Sequence, residues 1–200
     1  MQINIKLEGV DQAMKQYDRA LVERAARLAI NDAARSARPE ASREIRKKWN
    51  ITAGRVNGEL KNVKFASLSD LTAIIQAKGR PISLLHFGAK WVRGTRVESA
   101  KGVKQTKRVG RNQGVSVKIL RGKTTRLPNA FVARVAAGKS GGTFQGIFER
   151  MTSKRLPIEH KSTITIASMF GQEPVQQATA KTAAKTWRAR FIHHITRLLK

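Results

Sequence analysis

The hydrophobic residues of this chain change their spacing twice, which restricts the folds open to it. Met14, Tyr17, Leu21, Ala25 and Leu28 recur at intervals of three or four, the pattern of a helix with one face turned to a core. From Lys61 the interval drops to two, through Val63 and Phe65, Leu71 to Ala77, and Ile82 to Phe87. Further strands are expected at Val115 to Ile119, Phe131 to Val135, Gly146 to Glu149 and Ile164 to Ile166. Behind Pro174 the helical interval returns in Ala180, Ala184, Trp187, Phe191, Ile195 and Leu198. This order predicts an α+β fold, a largely antiparallel sheet covered by long N-terminal and C-terminal helices. The 200 residues suit a single domain over 1–200, with 1–60 mainly helical, 61–170 strand-rich and 173–200 the C-terminal helix.

Local signals refine this outline. Ile3, Ile5 and Leu7 alternate as in a strand, Gly9 ends it, and Asp11 is placed to cap the first helix. Pro39 lacks an N–H and disfavours helical geometry at Arg38, so a kink or break is expected there. Helical spacing resumes through Ala41, Ile45 and Trp49, the indole being a core side chain, and Thr52 can cap a short helix ending near Leu60. In LPNAF, Pro128 and Asn129 predict a turn that sends Phe131 into the core.

Charge decides which partners such a fold would have. Forty Lys and Arg stand against 13 Asp and Glu, a formal net charge of +27, which draws nucleic acid or acidic protein faces. The cations crowd most in the segment Arg93 to Gly114, where neither helical nor strand spacing survives: a long basic loop carrying Lys101, Lys104, Lys107, Arg108 and Arg111 with Glu98 as its one acid. These five residues are the candidate contacts to DNA phosphate or to an acidic partner. A compact domain of this size is about 40 Å across, and that length of duplex carries about 24 charges. One subunit would neutralise it alone, so if several copies surrounded one duplex most of their charge would have to face something other than DNA.

Other chemistry is poorly provided for. There is no cysteine, and no apolar run nears the roughly 20 residues that span a bilayer. The N-terminus lacks the apolar block of a secretory signal, so a soluble, unexported chain is expected. Only Asp70 and Glu98 lie between Leu60 and Phe148, too few carboxylates for metal-assisted hydrolysis. Neighbouring His193 and His194 point about 100° apart on a helix and cannot jointly hold one metal, and the glycines around Lys139 lack phosphate-loop spacing. No enzyme activity and no cofactor are expected. DNA contact would be blind to sequence, because no base-reading module is present.

Several ordered segments carry a family resemblance. RPISLLHFGAK at Arg80 to Lys90, GVSVKILRGKTTRLPNAFVARV at Gly114 to Val135, GIFERM followed by KRLPI, and SMFG at Ser168 to Gly171 resemble the prophage minor tail protein Z family. The resemblance covers nearly the whole chain and implies a structural virion protein of a long-tailed bacteriophage. It implies that the chain completes the head-proximal end of the tail and helps join tail to head around the DNA channel. The implied partners are further copies in a homo-oligomeric ring of roughly six or twelve subunits, and neighbouring tail-terminator, tail-tube or head-connector proteins. On the charge argument above, sequence-independent contact with phage DNA is a further candidate interaction, and no membrane partner is expected. The place of action would be the neck of the virion, after assembly in the host cytoplasm. The alternative is a nonspecific nucleic-acid-binding or packaging protein.

Overall fold

A computed structural model describes residues 17–92, 114–137 and 142–200. The expected strand at Ile3 to Leu7, the Asp11 cap and the five loop cations Lys101, Lys104, Lys107, Arg108 and Arg111 lie outside the described residues. The chain divides into two compact units, one containing Thr52–Arg80, Thr165–Lys200 and the chain up to Lys47, the other Lys48–Ile51 and Pro81–Ile164.

The first unit is built on helix α1, Arg19–Lys48. The break expected at Pro39 does not occur: the helix runs through it, although the missing N–H deprives the Arg35 carbonyl of its helical donor. Burial on both sides of the proline offsets that loss. Ala37, Ala41 and Ile45 are fully buried, and Arg38 ties the helix to the following chain by donating to the carbonyls of Leu60 (2.8 Å) and Asn57 (3.1 Å). Helix α2, Ala53–Glu59, starts at Thr52 as expected, yet the threonine side chain makes no capping bond.

Strand β1, Leu60–Lys64, pairs antiparallel with β2, Ile74–Ala77, and the register slips between Asn62 and Lys64. Leu60, Ile75 and Ala77 are the buried members of this pair. Val63 and Phe65, read from the sequence as a strand face, are 59% and 43% exposed, because the alternation runs unbroken from buried Leu60 to buried Ala66 and turns the odd-numbered positions outward. Around Ile164 to Ile166 the expected strand gives way to helix α3, Ile166–Phe170. Thr165 caps it, its hydroxyl accepting from the Ser168 N–H at 3.0 Å.

Helix α4, Glu173–Leu198, carries Pro174 in its first turn. Its buried seam is Val175, Thr179, Ala183, Trp187, Phe191 and Ile195, one position away from the expected Ala180 and Ala184. Thr179 can take a seam position because its hydroxyl donates to the Val175 carbonyl at 2.6 Å. Trp187 and Phe191 stack with ring centroids 5.0 Å apart.

The second unit holds three small antiparallel sheets. Strand β3, Ile82–Ser83, pairs with β10, Ser162–Thr163. A second sheet joins β4, Lys90–Val92, to β5, Gly114–Val117, and β6, Thr125–Pro128. The third joins β7, Ala130–Ala137, to β8, Gly142–Arg150, and β9, Ile158–His160. The strand expected to run from Ile82 to Phe87 stops at Ser83, whose side chain accepts from the Leu85 N–H and opens a 3-10 turn, Leu84–His86. His86 therefore sits on a turn and not in a strand. Asn129 makes the LPNAF turn with φ 66°, but Pro128 ends β6, and Ala130, not Phe131, is the residue that enters the core. Phe131 joins Phe144, Phe148 and His160 in a ring cluster. A Cβ at Gly146 would come within 2.8 Å of both the Phe144 and His160 rings, so only glycine fits beside them.

The α+β architecture with antiparallel pairing is as the residue spacing predicts, its strands divided, among the described residues, into four short sheets. Among the described residues no helix is long and apolar enough to cross a membrane.

Candidate charged interfaces

Helix α4 turns cations outward because the aromatic seam occupies its other face. Lys181, Lys185, Arg188 and Arg197 are exposed, and beyond Glu173 the chain contains no Asp or Glu at all. Lys181 and Lys185 have no ion-pair partner among the described residues. Glu173 in the first turn and Arg197 in the last complement the helix dipole, Glu173 also accepting from the Gln177 side chain at 2.9 Å.

His193 and His194 part company on this helix: His193 is exposed, while His194 is 7% exposed and its Nε2 donates to Asp32 Oδ2 on α1 at 3.0 Å. Asp32 also faces Arg35 at 3.3 Å and Arg190 at 3.9 Å, so one carboxylate gathers three nitrogen-bearing side chains from two helices. Ser36 donates to the Ala33 carbonyl and lies 2.9 Å from the Thr186 hydroxyl, a second polar tie between α1 and α4. Of these positions only His194 is singled out in the sequence, and its pairing with Asp32 is not legible there, since the two are 162 residues apart. A shallow groove of about 490 Å3 lies elsewhere on the first unit, where Arg55, Lys61, Lys78 and Arg80 surround Glu59, which pairs with Arg55 at 2.6 Å.

In the second unit the described residues flanking the basic segment are fixed. Val92 and Gly114 are paired partners in the β4–β5 ladder, so both ends of residues 93–113 start from one point on a sheet. At the other end of that sheet Lys118, Arg121, Lys123 and Arg126 are all exposed around the Gly122 turn. Among the described residues no acid occurs between Asp70 and Glu149. Where acids do occur they are claimed: Lys161 lies 2.9 Å from Glu149 and 2.8 Å from Glu159, and these two hydrogen bonds, Glu159 first, raise its pKa.

A sequence model of the prophage minor tail protein Z family matches residues 7–200. The chain belongs to that family. No curated protein and no solved structure matches it. Membership in the minor tail protein Z family gives the chain a structural role in a phage tail. The match spans both compact units and the basic segment between Val92 and Gly114, so the minor tail protein assignment applies to the chain as a whole.

Proposed function

We propose that this minor tail protein completes the head-proximal end of the tail and helps join it to the head. In this reading copies of the chain form a closed ring around the DNA channel, against tail-terminator, tail-tube or head-connector proteins. The carrying observation is the family match over residues 7–200, joined to a net charge of +27 that demands anionic neighbours. Lys101, Lys104, Lys107, Arg108 and Arg111 would meet DNA phosphate or an acidic neighbouring subunit. The paired base at Val92 and Gly114 supports this, because it anchors both ends of that segment on a sheet. The role is structural and not enzymatic, and it is exercised in the virion.

Labelling the chain in purified virions tests the placement. A ring at the upper end of the tail is the expected result, and uniform labelling along the tube, or none in the particle, would overturn it. Absence from the particle together with salt-sensitive binding to any duplex would instead indicate a packaging protein.

A further inference from the structure

In the first unit a recess of about 370 Å3 lies between the middle of α1 and the α2–β1 connection. Arg35, Arg38, Ser42 and Arg46 line its helical wall at intervals of three, four and four, which brings them onto one face. Asn57, Asn62 and Phe65 face them. Arg38 and Arg46 are only partly exposed, and neither has an ion-pair partner among the described residues. They are held instead by backbone carbonyls. Arg38 donates to Leu60 and Asn57, and Arg46 Nε donates to the Ser42 carbonyl at 3.2 Å. Among the described residues Nη1 of Arg38 and both terminal nitrogens of Arg46 have no acceptor. At the edge Arg35 lies 5.3 Å over the Phe65 ring, which is 43% exposed, next to the exposed Pro39 ring.

We infer that this recess is a docking site for an acidic segment of a partner protein, one that presents an Asp or Glu carboxylate beside an apolar side chain. Half-buried guanidinium groups without a counter-charge lose hydration and repel one another, and an incoming carboxylate relieves both effects. Three features favour protein over nucleic acid. The lining cations are all arginine, whose planar fork, here pre-set by carbonyl bonds, matches a carboxylate. The Phe65 and Pro39 rings supply an apolar contact that a phosphodiester backbone cannot use. The recess accepts one or two side chains, whereas exposed lysines such as Lys181 and Lys185 suit the open charge array of a duplex. Arginine and aromatic side chains together are also the composition enriched at protein interfaces, from which lysine is depleted. The inference goes beyond the head-proximal placement and does not depend on it.

The test uses the full chain and three fluorescent probes at physiological ionic strength: a peptide alternating Glu with Leu, one of equal length and charge alternating Glu with Ser, and a short duplex. The Glu–Leu peptide is expected to bind about tenfold more tightly than the Glu–Ser peptide, the size of one modest apolar contact. Arg46→Glu should weaken the Glu–Leu peptide by about tenfold or more, and Phe65→Ser should erase the preference between the two peptides. Both should leave duplex binding almost unchanged. Arg46→Gln, which removes the charge without adding an opposite one and keeps a polar donor, guards against a folding defect and should give an intermediate loss. Equal affinity for the two peptides, or peptide binding indifferent to Arg46, overturns the inference. A duplex affinity that falls as steeply as the peptide's would assign the recess to nucleic acid.

Discussion

Helices α1 and α4 are both long, basic and buried along one seam, yet they are made differently. The α1 seam is small: Ala25, Ala26, Ala29, Ala33, Ala34, Ala37 and Ala41 bring its backbone close to whatever packs on it. The α4 seam is filled by Trp187, Phe191 and Ile195. Their outer faces differ too. On α1 the cations are answered at one-turn spacing, Arg19 by Glu23, Arg35 by Asp32, Arg43 by Glu40 and Lys47 by Glu44, whereas α4 has Glu173 alone. Local pairing answers four of the α1 cations and leaves Arg38 and Arg46 without a counter-charge among the described residues, in the recess beside α2, whereas the unanswered Lys181 and Lys185 of α4 face outward.

The largest expected effect breaks the seam comparison. Trp187→Ala should cost roughly 3–5 kcal/mol in chemical denaturation, the range for emptying a large aromatic site. On α1 the damaging change is the opposite one: Ala37→Leu should cost roughly 1–3 kcal/mol by overpacking, while Ala37→Ser should be far milder. Should Trp187→Ala prove nearly neutral, the aromatic seam is not what fixes α4. Next in size is the tie between the helices. Asp32→Ala strips the nearly buried His194 of its acceptor and should cost roughly 1–3 kcal/mol, with Asp32→Asn recovering part of it.

Smaller effects concern the outer faces. Lys181→Glu with Lys185→Glu should lower duplex affinity and reduce the log–log salt slope by about 0.9 for each phosphate no longer neutralised, leaving the melting temperature nearly unchanged. Arg43→Gln, whose guanidinium is answered by Glu40, should change the slope less per residue altered; an equal change per residue would mean that the pairing does not shield Arg43. The smallest effect lies off both helices, at the Lys64–Asp70 pair. Hydrogen bonds from Lys64 and then Thr72 lower the Asp70 pKa from its ordinary value of 3.8. The folded value is thus below the unfolded one, so this contribution is present above the ordinary value and fades as pH falls through the folded value. Asp70→Asn should flatten the stability profile slightly in that acid window and nowhere above it.

Which features could be read from the sequence follows from how local their causes are. Alternation and helical spacing carried the α+β order, the position of α2 and the start of α4 at Pro174, because each depends on neighbours within a turn or a pleat. Pro39 misled because its penalty is local while the burial of Ala37 and Ala41 that offsets it is tertiary. Val63 and Phe65 misled because the inward face, set by Leu60 and Ala66, carries the polar Asn62 and Lys64 between them, and Ala180 because Thr179 hides its hydroxyl in the helix backbone. The Arg35–Arg38–Ser42–Arg46 face went unread in the sequence, because the Asn57, Asn62 and Phe65 wall that makes it a recess comes from a separate stretch of chain. The five loop cations proposed as contacts lie outside the described residues, so their part rests on the charge argument.

The pairing of Val92 with Gly114 has a consequence for how such a chain can diverge. With both ends pinned on adjacent strands, the sheet needs no particular number of residues between them, and doubling the connection adds only about 0.6 kcal/mol of closure entropy. Length and composition there can drift, or a tag can be inserted, while the register of β4 and β5 is kept. In the role proposed above, rewriting that one segment would change which neighbour the chain meets, with the two hydrophobic cores left as they are.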